Sequence, residues 1–282
     1  MRRSRHSPPT PARDNKGRPE RGSPTSHAHP GVAMPKRADP HLALIYGFHS
    51  VREALQVARR TFVRLHVTKD AADRLSTEIA TAGIRVNLVS PQELSARLGA
   101  QAVHQGVLLE AGPLEAADIS DLEQSRGIVL VLDQVTDPHN FGAVIRTAAA
   151  FGVEALITTH RHSPIASGVL AKAASGGLEY VPLIAVTNLA RALDKLGDYG
   201  FFRIGLDSEG ATSLDTLPVS SPLALVLGAE GQGLRRLTRE KCDALARLDM
   251  PGPLKSLNVS NACAVALALV TARSNQQASG RP

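Results

Sequence analysis

Between His41 and Pro113 the apolar positions switch repeatedly between a period near 3.6 and a period of two. VREALQVA, AADRLSTEIATAG and PQELSARLG carry helical spacing, and FVRLHVT, VNLVS and GVLLEA carry strand-like spacing. Short strands alternating with helices predict a small α/β domain over residues 41–112. Ser90, Pro91 and Glu93 sharpen one boundary, with serine suited to cap a helix and proline to its first turn.

Residues 111–126, AGPLEAADISDLEQSR, lose the apolar period and read as a polar connector, with the linker taken as 113–126. From Gly127 the pattern changes character. IVLVLDQV and LALVLG are unbroken apolar runs of strand length, as expected for parallel strands buried on both faces. EALITTH, YVPLIAV, FFRIGL and ALARLDM read as further strands. Helices are expected near AVIRTAAAFG, ASGVLAKAA, LARALDKL, LRRLTRE and VSNACAVALALVTAR. The pattern predicts a second domain over 127–275, one sheet covered by helices, and a short flexible tail at 276–282.

Composition changes the picture mainly at the start of the chain. Residues 1–40 hold nine Lys or Arg against three acids, an excess equal to the net charge of +6 of all 282 residues. The basic isoelectric point therefore belongs to this segment and not to a folded nucleic-acid-binding face. Rich in Pro, Arg, Ser and His, the segment is read as a disordered tail, and Met34 offers a second possible start. It has no apolar core after its first charges, so it is no secretory signal, and its eight prolines oppose the amphipathic helix of a transit peptide. No apolar run approaches the roughly 18 residues that span a bilayer. Cys242 and Cys263 lie apart without metal-ligand companions, so no metal site is expected and both read as reduced thiols of a cytoplasmic protein.

Three blocks carry chemistry. Asp137-Pro138-His139-Asn140-Phe141-Gly142-Ala143-Val144-Ile145-Arg146 follows an apolar strand, where open α/β sheets bind ligands. Arg146 falls in a helix of otherwise small and apolar residues. It is either a functional cation or an arginine on the outward face, and periodicity weights the two equally. Asn140 by itself is most simply a cap or turn residue. Gly228-Ala229-Glu230-Gly231-Gln232-Gly233 joins a strand to a helix, and its glycines permit close approach of backbone to a ligand. Its order differs from the dinucleotide fingerprint, which weakens a dehydrogenase reading. Glu230 could equally be an acid at a helix N-terminus. The third block, Met250 to Ala262, is a Pro/Gly loop entering an apolar helix, and Ser256, Asn258 and Ser260 could simply cap it.

Taken in this order at three strand ends, NFGAVIR, LGAEGQG and SLNVSNA resemble the signature motifs of the SpoU family of RNA ribose 2′-O-methyltransferases, over nearly all of residues 42–275. IYGFHSV, AVHQGVLLE and VPLIAVTNLAR are similar to the ribosomal RNA guanosine subgroup. The resemblance implies a knotted, Rossmann-like methyltransferase domain (the SPOUT trefoil knot) that forms homodimers, preceded by a ribosomal-protein-like substrate-binding domain. It implies S-adenosyl-L-methionine as cofactor, with Gly228, Ala229, Leu248 and Leu257 contacting it and Leu206 and Met250 lining its pocket. It assigns Arg146 to activation of the ribose 2′-hydroxyl, Asn140 and Glu230 to orienting Arg146 and the ribose, and Ser256 and Asn258 to shaping the loop beside the methyl donor. Pro253-Leu254-Lys255 departs from the motif, where small or hydroxyl residues are expected.

Because arginine side chains keep their proton in proteins, Arg146 is read as a stabiliser of the developing alkoxide and not as a base. The implied substrate is large-subunit (23S) ribosomal RNA, with transfer RNA as the rival. Few aromatics argue against recognition by stacked bases. A nucleotide-binding oxidoreductase and a non-catalytic RNA-binding factor are the alternatives from other classes.

Overall fold

The computed structural model of the protein describes residues 42–162, 170, 173–219 and 221–278. The basic tail and most of the ASGVLAKAA helix lie outside the described residues.

The first domain is built on a four-stranded sheet. Its elements in chain order are β1 (Ala43–Tyr46), α1 (Phe48–Val57), β2 (Phe62–Val67), α2 (Lys69–Arg74), α3 (Ser76–Ala82), β3 (Val86–Leu88), α4 (Pro91–Leu98) and β4 (Val107–Ala111). The strand order is β1-β4-β2-β3, antiparallel except for the β2–β3 pair. Leu65, Val67, Val107 and Leu109 alternate along their strands and pack with Val51, Ala54, Leu55 and Leu75 into one core. Ser90 caps α4 as read, in a reciprocal capping box with Glu93. AADRLSTEIATAG is not one helix but two. The chain leaves helical geometry at Leu75 (φ −103°, ψ 13°), which is fully buried. No breaker residue marks the spot; packing of Leu75 into the core decides it.

His66 points to the other face of the same sheet and is fully buried. Its Nε2 lies 3.0 Å from Glu110 Oε1 and 3.2 Å from an Arg97 guanidinium nitrogen. Burial, and then the charge of Arg97, hold its pKa below the ordinary 6.5, against the opposing pull of Glu110. The unfolded chain therefore takes up a proton below pH 6.5 that the folded chain refuses, so this residue makes stability fall as pH drops through that region. The slope of unfolding free energy against pH below 6.5 should be shallower in His66→Gln than in the wild type, as read by denaturant titrations; an unchanged slope would refute this.

The second domain is a seven-stranded parallel sheet in the order β7-β6-β5-β10-β8-β11-β9. Its elements are β5 (Ile128–Asp133), α5 (Pro138–Ala150), β6 (Ala155–Thr159), β7 (Leu183–Val186), α6 (Leu189–Asp198), β8 (Phe202–Leu206), β9 (Thr212–Ser213), β10 (Leu223–Gly228), α7 (Arg236–Glu240), β11 (Ala244–Arg247) and α8 (Val259–Ala278). The unbroken apolar runs have the expected cause. Leu130, Leu132, Leu225 and Leu227 face α5 and α8, and Val129, Val131, Ala224 and Val226 face α6 on the opposite side. The connector is less polar than its composition suggests. Its single turn of 3-10 helix, Ile119–Leu122, buries both end residues in the second of these cores. Helix α8 runs past residue 275 to Ala278.

The two domains meet beside α5. Arg60 forms a bidentate pair with Glu179, at 2.9 and 3.0 Å from Nε, and both side chains are almost wholly buried. The Tyr180 hydroxyl donates to Glu53 of α1 at 2.7 Å. A Cβ on Gly177, just before this contact, would stand 3.2 Å from the Arg146 Cα. The first domain thus rests on the segment that packs against the Arg146 helix. Cys242 and Cys263 are held as thiols, since burial pushes each pKa up to about 12. Among the described residues there is no cluster of potential metal ligands, and no helix is long and apolar enough to cross a membrane.

Candidate active site

Strands β8, β10 and β11 lie side by side and parallel, so their carboxyl ends open onto one edge. There the chain forms a cleft of about 210 Å³, walled by the turn after β10, the end of β8 and the loop from Leu248 to Leu257. The walls are mainly backbone and aliphatic carbon from Leu206, Leu248, Met250 and Leu257, a setting suited to an uncharged ring system. A larger hollow of about 490 Å³ sits under the connector, among Arg59, Glu115, Asp121 and Glu154. It contains no residue of the three blocks, and size alone does not make it the site.

The turn after β10 owes its shape to glycine. A Cβ on Gly228 would lie 2.2 Å from the carbonyl carbon of Gly233 and 2.3 Å from its oxygen. Gly231 and Gly233 have φ of +74° and +64°, which other residues adopt at a cost. The Gly233 amide then donates to Ala229 O at 2.9 Å and closes the loop on itself.

An ion pair with a buried carboxylate fixes this loop to the centre of the sheet. Asp133, at the end of β5 and wholly buried, accepts from the Arg235 amide at 2.9 Å and from its Nε at 2.7 Å. Arg235 is the residue before α7, so the pair ties the outgoing end of the glycine loop to β5. The exposure of the two partners differs, with Arg235 at 42% and Asp133 at 0%. Removing the arginine side chain leaves the buried carboxylate with the amide of residue 235 but without its charge partner; removing the carboxylate frees an arginine that can reach water. Arg235→Ala should therefore destabilise by roughly 1–3 kcal/mol, and Asp133→Asn by clearly less. Chemical denaturation of the two variants would show this order, and the reverse order would refute it.

The third block closes the arrangement. Asn258 Oδ1 accepts from the Ser260 amide at 2.8 Å and from its hydroxyl at 2.6 Å, so Asn258 caps α8. Its Nδ2 donates to Asn140 Oδ1 at 3.0 Å, which joins the third block to the first across 118 positions of chain. Capping and bridging are done by one side chain. Asn140 itself is not the cap of α5, because Asp137 takes that place and accepts from the His139 amide at 2.7 Å.

All six residues read as cofactor contacts, Gly228, Ala229, Leu206, Leu248, Met250 and Leu257, line the cleft, and so do Glu230 and Ser256. Asn140, Asn258 and Arg146 do not. Arg146 stands exposed on α5, whose other side buries Phe141, Val144, Ile145 and Ala148. Among the described residues no hydrogen bond or ion pair joins it to Asn140 or Glu230. Sequence reading passed over three charged residues here: Asp133, Arg235 and Asp207, which pairs with Arg239 at 2.8 Å. Asp133 left a signal, as an acid ending an otherwise apolar strand.

An open parallel α/β sheet with a glycine-cradled cleft at its carboxyl edge is the place where such sheets bind a ligand or cofactor. The chain belongs to the SpoU rRNA methylase family, whose profile matches residues 127–268. A profile described as RNA 2′-O ribose methyltransferase substrate binding matches residues 44–117. The chain is 41% identical over 232 residues to the 23S rRNA (guanosine-2′-O-)-methyltransferase RlmB of Pseudomonas aeruginosa, covering 79% of this chain and 93% of the relative. With the same enzyme of Coxiella burnetii the identity is 38%, covering 79% and 92%. Among solved structures, the SpoU methyltransferase AviRb of Streptomyces viridochromogenes in complex with AdoMet superposes with a TM-score of 0.71 at 20% identity, over 83% of this chain and 91% of that one. That likeness shows the fold.

Proposed function

We propose that this protein transfers a methyl group from S-adenosyl-L-methionine to the ribose 2′-hydroxyl of a guanosine in 23S ribosomal RNA. The observation that carries the reading is the cleft at the carboxyl edge of the sheet, where the second and third blocks converge while an Asn258–Asn140 bond ties in the first. The RlmB relatives supply the substrate class.

S-adenosylmethionine, when bound, supplies an electrophilic methyl on a neutral leaving group. The protein's share is to place the nucleophile in line and to favour its ionisation. Backbone of Gly228 and Ala229 and the side chains of Leu206, Leu248, Met250 and Leu257 would hold the nucleoside part, since the cleft offers close backbone approach and little charge there. Arg146, exposed at the outer face of α5, is accessible to RNA and would stabilise the oxyanion that develops on the ribose. Asn140 and Asn258 fix the entrance of α5 to the start of α8, so the arginine helix keeps its place relative to the cleft. Glu230 and Ser256, at the cleft, would meet the ribose and the methyl donor. The substrate-binding domain would hold the RNA.

The homodimer and the trefoil knot implied by family resemblance belong to the same proposal. Val265, 42% exposed on an α8 of small and aliphatic residues, offers an apolar face for a second copy. Light scattering should return twice the chain mass of 29.8 kDa. Mapping of 2′-O-methylation in ribosomal and transfer RNA, with and without this protein, tests the activity. A single lost guanosine mark in 23S RNA is expected; a mark lost only from transfer RNA would replace the substrate.

A further inference from the structure

We propose that the Lys255 ammonium anchors the carboxylate of the cofactor's amino-acid end, an inference that rests on the cofactor assignment above. The cleft is lined by three charged side chains, Asp207, Glu230 and Lys255. Asp207 is already engaged, holding Arg239 at 2.8 Å and accepting the Glu209 amide at 2.9 Å. Glu230 makes no ion pair with the described residues. Asp249, on the same loop as Lys255, is taken by Arg247 at 2.8 Å. The cleft therefore presents one available anion and one available cation.

S-adenosylmethionine has a single anionic group, the carboxylate of its methionine part, and Lys255 is the one cation among the lining residues. The ammonium is also held in place. It donates to Met250 O at 2.6 Å, which closes the loop from 250 to 255, and an ammonium has three donors, so others stay free for a ligand. Met250 lines the same cleft, so the contact that fixes the wall also fixes the charge. Lys255 ends the Pro253-Leu254-Lys255 stretch, where this chain departs from the motif it otherwise resembles.

The experiment is calorimetric titration of the full chain with S-adenosylmethionine and with decarboxylated S-adenosylmethionine, which keeps the nucleoside, the sulfonium and the amine. The wild type should bind the first more tightly, and Lys255→Met should weaken it roughly three- to tenfold, the range for a charge-assisted contact at a solvent-facing edge. Binding of the decarboxylated ligand should change less than twofold. Lys255→Gln, which keeps a donor for Met250 O and hence the loop closure, should behave like Lys255→Met. Equal loss with both ligands in both variants would assign Lys255 to loop structure alone and overturn the anchor, as would unchanged binding. A wild type that binds the two ligands equally also overturns it and leaves the cofactor assignment standing. A wild type that binds neither removes both.

Discussion

Arg146→Ala is expected to lower the rate of methyl transfer by roughly 10²–10³-fold, the cost of deleting one donor aimed at a developing oxyanion. Stability should be nearly unaffected. The side chain is exposed on α5 and makes no ion pair with the described residues, so its loss falls in the range of about ±0.5 kcal/mol for surface changes. Affinity for S-adenosylmethionine should also hold, because Arg146 is not among the residues lining the cleft. The expected signature is a fall in kcat with little change in KM for cofactor, since the interaction is made only in the transition state. Arg146→Lys keeps a cation but loses the planar fork and should fall between the two. Single-turnover methylation of RNA by the alanine variant at the wild-type rate would remove Arg146 from the chemistry.

Gly228→Ala should have an effect of similar size at the other half of the site. The added carbon would stand 2.2 Å from one backbone atom of Gly233 and 2.3 Å from another, and backbone cannot swing away as a side-chain end can. The loop must open. With it would go the wall formed by Ala229, Glu230 and Gly231, so cofactor affinity should drop by roughly 100-fold, about 2.7 kcal/mol. Overpacking of this kind typically costs about 1–3 kcal/mol in stability as well. Calorimetric titration would show the binding loss, and circular dichroism would show whether the fold persists. Retention of wild-type affinity would mean that the cofactor does not sit against this turn.

The elements whose environment is set locally were legible from the residues. Ile128–Asp133 and Leu223–Gly228 are buried on both faces, so unbroken apolar runs could announce them. Ser90 and Glu93 form a cap by contacts three residues apart. The residues that the family resemblance assigns to the cofactor share one cleft, because they stand at glycine turns and strand ends on one edge of the sheet. What was missed depends on partners distant in the chain. The break at Leu75 follows from a core position, and the connector's buried Ile119 and Leu122 from a second core. Asp133 and Arg235 are 102 positions apart, and neither side chain advertises the other.

By itself, the sequence determined the two α/β domains and the parallel character of the second sheet, because hydrophobic period acts over a few residues; the residues expected along the cleft came from the resemblance of its three blocks to the family's motifs. The tertiary structure alone decided three things. It placed Arg146 on the exposed side of α5, where periodicity had left the choice even. It made Asn258 both a helix cap and a bridge to Asn140. It also brought Lys255 to the cleft wall by way of Met250 O. Each depends on which surfaces meet when the sheet is covered by its helices, and that is settled by packing over the whole chain and not by any local stretch of residues.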